Sequence, residues 1–292
     1  MCASAQSMAR AHGTVQLRIP TRRAYRVRMK VACMCSGLTA QCPRSWLRRP
    51  DQRPSTPMPI ANRVPLQNRI LSALPAAEYR RLRPRLERIR LDVNEVVYSP
   101  GSEIRYIYFP ENAIVSHLLD VDGRRTVEVA MEGNEAAVGF ATFLGGASSC
   151  NFSVVRDAGS AMRLEVGALN GPAKRGGRLQ VLLNRYVHAF VAQIAQAAVC
   201  SQFHNIDKRL ARWLLMSQDR LSSPALRATQ ELISHMLGVR RSSVTTAAIN
   251  LHRHKVIDYR RGQIEILDQR RLCAASCACY GIIKRQYDSF LE

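Results

Sequence analysis

Acidic residues are scarce in this chain: 22 Asp and Glu stand against 43 Lys and Arg, a formal net charge of +21 over 292 residues. An excess of that size points to a polyanionic partner. Long apolar runs are missing as well. No stretch approaches the roughly 20 consecutive apolar residues that a membrane-spanning helix needs, so no membrane partner is expected. No apolar secretory segment is evident, and the nine cysteines therefore do not read as a disulfide framework. A cytoplasmic protein with mostly reduced thiols is expected. Also lacking are a nucleophile elbow, a phosphate-binding loop and a zinc-protease signature. No carboxylate pair singles itself out for acid–base work, and no enzyme is expected.

The positive charge is unevenly spread. Residues 1–57 hold eleven Lys and Arg against the single acid Asp51. This stretch has no helical or strand periodicity, and Arg22-Arg23-Ala24-Tyr25-Arg26-Val27-Arg28 is costly to pack and cheap to solvate. It is expected to be a disordered basic extension. Translation starting at Met58 is favoured over a basic DNA-binding arm or a targeting peptide. Cys33, Cys35 and Cys42 have a spacing that does not match the usual iron–sulfur patterns.

What is present is concentrated between residues 229 and 266. Thr229 is an N-cap for a helix whose Leu232, Ile233, Met236 and Leu237 share one face. Gly238 suits the positive φ of a tight turn. A second helix from about Arg241 buries Val244, Ala247, Ala248 and Leu251 and turns Arg240, Arg241, Ser242, Ser243, Thr245 and Thr246 outward. Val256–Tyr259 and Gln263–Ile266 alternate as strands around the turn Arg260-Arg261-Gly262. This pattern is a winged helix-turn-helix, with short polar and guanidinium groups suited to a major groove. Arg241, Ser242 and Thr245 are the expected base contacts, with Arg240 and Thr246 next. Ser243, Arg260 and Arg261 are the expected phosphate contacts.

From about Asn68 to its end the chain resembles the Crp–Fnr (cyclic AMP receptor protein / FNR) family of bacterial transcription regulators. The resemblance is carried by Arg209–Leu215 (RLARWLL), Met236–Arg241 (MLGVRR), Tyr259–Gly262 (YRRG) and Cys277-Ala278-Cys279-Tyr280. It implies an α+β fold: an antiparallel β-roll of the cyclic-nucleotide-binding type over 68–170, a dimerisation helix over 178–203, and a winged helix-turn-helix DNA-binding domain over 205–292. It implies a homodimer on a two-fold related site in double-stranded DNA, with RNA polymerase as a further partner such a regulator admits. One departure stands out. Where relatives have a Gly between the reading helix and the wing, this chain has His254-Lys255.

The segments from Ile89 to Val166 alternate and are punctuated by Gly, Pro, Asn and Asp, as a β-roll requires. Relatives that bind cyclic nucleotides use a Gly-Glu pair and then an Arg for the phosphate. Here Glu135 could stand for the ribose-binding acid, but no Arg lies between it and Arg156. Cyclic AMP is therefore not expected as ligand, and no cofactor is expected. The long helix from Arg178 to about Gln202 carries an apolar stripe including Leu182, Tyr186, Val187, Phe190, Val191, Ile194 and Ala198.

Cys200 and His204 are four apart on that helix and could face the same way. Two ligands from one helix are insufficient and no partner pair is evident, so no metal is expected. The terminal segment after Leu272 reads as one helix to Leu291, with Cys273 and Cys277 on a shared face, Cys279 displaced, and small buried thiols as the favoured reading. Two alternatives remain: a metal- or redox-responsive regulator using the C-terminal cysteines Cys277 and Cys279, or a ligand-binding module without specific DNA function.

Overall fold

The computed structural model describes residues 66–122, 125–169, 177–221 and 225–291. The basic extension with Cys33, Cys35 and Cys42, and Met58, lie outside the described residues, as does the Ser222-Ser223-Pro224 segment.

Two short helices lead the chain in, α1 (Arg69–Ser72) and α2 (Ala76–Leu82). The buried Asn68 caps α1 by accepting from the Ile70 and Leu71 N–H groups, and its amide donates to the carbonyls of Pro110 and Ala136 at 3.0 and 2.9 Å. One side chain thus ties the leading segment to the sheets.

Seven antiparallel strands follow: β1 (Leu86–Leu91), β2 (Val96–Tyr98), β3 (Tyr106–Pro110), β4 (Ile114–Asp120), β5 (Thr126–Glu132), β6 (Phe152–Asp157) and β7 (Gly159–Glu165). They form two sheets, ordered β1-β7-β3 and β2-β6-β4-β5. This is the β-roll expected from the punctuated alternation. The helical lead-in ends before Leu86, which already pairs with Leu164 as the first residue of β1.

The 26-residue helix α3 (Arg178–Phe203) closes the roll. Its first free N–H groups are satisfied from a distance: the Glu78 carboxylate accepts from the N–H groups of Arg178 and Leu179 at 2.9 and 3.2 Å. An acid at a helix N-terminus is also favoured by the macrodipole. The apolar stripe read from the sequence divides in two. Leu179, Leu182, Leu183, Tyr186 and Phe190 are buried, whereas Val191 and Ile194 stay exposed.

Helix α4 (Ile206–Gln218) starts at the Asn205 N-cap, whose side chain accepts from the Lys208 N–H. Every residue from Leu210 to Ser217 is buried. Charge alone would put Arg209 and Arg212 on an open face, and the packing does not. Arg212 is buried and Arg209 donates to the Leu237 carbonyl, because α4 packs against α6, α7 and α8 and also meets the roll.

Three contacts join α4 to the roll. The Trp213 indole donates to the Glu128 carboxylate at 2.9 Å, the Arg156 guanidinium lies 4.8 Å above the Trp213 ring, and Arg220, just beyond α4, pairs with Glu135 at 2.7 Å. Burial raises the Glu128 carboxyl and lowers the Arg156 guanidinium, each opposed by the charge of the other. Arg220 and Glu135 are almost wholly buried, so removing one partner strands a charge at a cost of about 3–5 kcal/mol. Arg220→Met is expected to lower unfolding stability in urea by that amount. Adding Glu135→Leu should recover most of the loss, and an additive double mutant would contradict the pairing.

Candidate nucleic-acid interface

After α4 come β8 (Ala225–Arg227), α5 (Gln230–Leu237), α6 (Arg241–Arg253), β9 (Ile257–Arg260), β10 (Gln263–Ile266), α7 (Gln269–Ala275) and α8 (Ala278–Ser289). The Thr229 hydroxyl accepts from the Leu232 N–H at 3.1 Å, as its N-cap position requires. Gly238 ends α5 at φ +62°. The turn is closed by Gly238 N–H to His235 carbonyl and Val239 N–H to Ser234 carbonyl, the paired bonds of a left-handed helix stop. A side chain here would also press on Val127 of β5, 3.2 Å from where a Cβ would sit. The turn of the helical pair therefore leans directly on the roll.

Helix α6 buries Val244, Ala247, Ala248 and Leu251. Arg240 at its N-cap, Arg241, Ser242 and Thr246 are exposed, while Ser243 and Thr245 are half-buried. Thr245 is less available than its spacing suggested. Its hydroxyl donates to the Gln230 side chain at 2.6 Å and lies 3.1 Å from the Arg241 carbonyl. The Thr246 hydroxyl is 3.1 Å from the Ser242 carbonyl. Gln230, the first residue of α5, was not legible as a partner for Thr245, because the pair joins two helices and no single-helix periodicity reports it.

The wing is a two-residue hairpin whose tip residues, Arg261 and Gly262, have φ of +49° and +78°. Positive φ at both central positions matches the twist of the flanking strands. Arg260 and Arg261 are both exposed, and Arg260 pairs with Asp258 at 2.9 Å. At 82% exposure that pair is held weakly and leaves the guanidinium available. Strand β8 adds a third strand beyond β10 that the sequence did not reveal. Burial raises the Tyr259 phenol, which donates to the Ala228 carbonyl.

His254-Lys255 takes the place of the usual glycine without losing the turn. Lys255 adopts φ +54°, its N–H bonds to the His252 carbonyl at 2.9 Å, and the Val256 N–H bonds to the Leu251 carbonyl at 3.0 Å. The conformation is the glycine one, carried by a residue that has a Cβ.

Of the remaining candidates, Glu135 is buried against Arg220, a residue of the helical half rather than of the roll. The terminal segment is two helices, broken at Ser276-Cys277, because the Ser276 N–H turns back to the Leu272 and Cys273 carbonyls. The break leaves Cys273 exposed and turns Cys277 and Cys279 inward. There they meet Cys200 and His204, the partner pair that the sequence reading did not find. The Cys200 and Cys277 sulfurs are 3.6 Å apart, and the Cys279 sulfur is 3.6 Å from His204 Nδ1. The hydrogen bond from Cys200 holds the Cys277 thiol down at about 5, and Cys200 itself is pushed up.

Residues 208–275 match the model of the Crp-like helix-turn-helix domain. That domain is therefore Crp-like, and the fold around it is the one found in solved Crp–Fnr-type regulators. Over 66% of its length it superposes on FixK2 from Bradyrhizobium japonicum, covering 98% of that chain with a TM-score of 0.58 at 16% identity. It resembles the c-di-GMP-responsive global regulator CLP of Xanthomonas campestris over 66% of this chain and 99% of that one, with a TM-score of 0.55 at 15% identity. A CRP-family transcriptional regulator from Thermus thermophilus aligns over 70% of this chain and 98% of its own, with a TM-score of 0.52 at 21% identity. No curated protein matches by sequence. Among the described residues, no helix is long and apolar enough to cross a membrane.

The left-handed Lys255 carries a strain that glycine would not, of order 1 kcal/mol. Lys255→Gly is expected to raise the thermal midpoint by roughly 2–4 °C, read by calorimetry. An unchanged or lowered midpoint would show that the turn is not strained.

Proposed function

We propose that this protein is a sequence-specific DNA-binding transcription regulator that acts as a homodimer on a two-fold related site. One observation carries the reading: the first turn of α6, within the Crp-like domain, exposes Arg240, Arg241 and Ser242 while its opposite face is fixed in the core. A helix so presented can lie in a major groove with its N-terminal residues against base edges. Arg241 makes the bidentate guanine contact, worth about 1–3 kcal/mol of discrimination. Ser242 and Thr246 reach neighbouring edges, Arg240 is adjacent, and Thr245 contributes by way of its bond to Gln230. Ser243 and the wing arginines Arg260 and Arg261 grip phosphates and set the register.

The dimer is supported by α3. Val187, Val191, Ile194 and Ala198 recur at intervals of four, three and four, the spacing of a self-pairing helical seam. Val191 is 58% exposed and Ile194 36%. Pairing two α3 helices would cover this seam and present two reading helices to successive grooves. In the roll, Glu135 is already occupied by Arg220, which speaks against cyclic AMP as effector.

Selection of bound fragments from genomic DNA by the purified protein, at near-physiological salt, tests the regulator reading. A palindrome with half-sites about one helical turn apart is expected. Arg241→Ala should relax preference at one position of each half-site while the protein stays folded. Arg261→Ala should weaken binding evenly across sequences and reduce the salt dependence. Sequence-blind binding by the wild-type protein, with and without cell extract, would overturn the reading.

A further inference from the structure

Cys200 and His204 sit at the last turn and C-cap of α3, and Cys277 and Cys279 at the start of α8. Their ligand atoms, three sulfurs and one imidazole nitrogen, all lie within 4.8 Å of one another. Four donors around one tetrahedral zinc ion, with Zn–S about 2.3 Å, stand about 3.8 Å apart along each edge. The Cys200–Cys277 and Cys279–His204 separations of 3.6 Å fall close to that edge. All three cysteines are buried, which suits an ion shielded from water.

We propose that Cys200, His204, Cys277 and Cys279 form a closed Cys3His site for one structural zinc ion.

The local charge supports this. Three thiolates and a neutral imidazole around Zn2+ leave a net negative charge. Buried beside them is Arg212, close enough to act on the Cys200 and Cys279 thiols. It is only 9% exposed, and its Nε lacks a hydrogen-bond partner among the described residues. A buried guanidinium left partly unsatisfied is costly in an apolar setting and is compensated beside an anionic centre. The compactness of the donor set favours a single ion over a polynuclear cluster, and four protein donors leave no open position for catalysis.

The site also has a defined place in the chain. The Crp-like domain, residues 208–275, lies wholly between the two pairs of ligands. An ion bound there would close a loop around that domain and lock the end of α3 to the start of α8. Closing a long loop in the folded state, with no comparable site in the unfolded chain, couples metal binding to folding.

The test is the metal content of the full chain, purified without chelator or histidine tag. About one zinc per chain is expected, retained in Cys273→Ser and Cys150→Ser and falling below about a tenth in Cys279→Ser and His204→Ala. In case those variants fail to fold, wild-type protein reconstituted with Co2+ gives an independent readout. Intense tetrahedral ligand-field bands with sulfur-to-cobalt charge transfer are expected. A folded wild-type chain that binds neither ion overturns the proposal. So does a Cys200–Cys277 disulfide found by mass spectrometry after thiol blocking, or the visible absorption of an iron–sulfur cluster. None of these readouts involves DNA, so the site stands or falls apart from the regulator reading.

Discussion

The burial of α4 between the roll and the helical half is the constraint on which the rest of the structure depends. A helix that exposes one side can satisfy itself with solvent there. This one is buried from Leu210 to Ser217, and several polar groups in and beside it are met by partners brought from elsewhere in the chain. Trp213 takes Glu128 from β5, Arg220 takes Glu135 from the loop beyond β5, and Arg209 takes the Leu237 carbonyl at the end of α5. These are charge-assisted or indole hydrogen bonds in a low-dielectric setting, so they are directional and expensive to leave unmade. They set where the helical pair sits relative to the sheets, and hence where the reading helix points.

Much of this was legible in the sequence, for particular reasons. The strands of the roll announce themselves by alternation bounded by Pro100-Gly101, Pro110 and Asp120-Val121-Asp122. The helical pair announces itself by Thr229, by Gly238 and by the three-and-four spacing of its apolar residues. These are local signals, and local signals survive in one dimension. What the sequence concealed is long-range. Arg212 looks like a surface residue because it is charged, and only the packing of several elements around α4 makes it a buried one. The meeting of Cys200 and His204 with Cys277 and Cys279 depends on a helix break at Ser276 and on a separation of 77 residues. Neither periodicity nor spacing encodes such a meeting.

The reading surface shows the same division. Arg240, Arg241 and Ser242 project from the first turn of α6 as their order predicts. Thr245 projects only in part, since its hydroxyl is held by Gln230 from the neighbouring helix. At the other end of α6 the chain reaches the wing through Lys255 in a glycine conformation. The hydrogen-bond pattern of that turn is therefore stronger evidence of its geometry than the residue that occupies it.

One hydrophobic cluster runs unbroken from Ile70 beside the roll, through Trp213 and Val244, to Phe290 at the end of α8. Among the described residues this packing leaves no seam between the roll and the helical half. The roll and the helical half are therefore expected to melt in a single transition, because neither can shed its contacts with α4 and keep a dry interior. Severing it ahead of α4 would not release a self-sufficient reading module but would leave Trp213, Glu128 and Arg156 facing water together. Whatever disturbs the roll must therefore be felt at the reading helix as a change in stability, even where no atom of the helix is displaced.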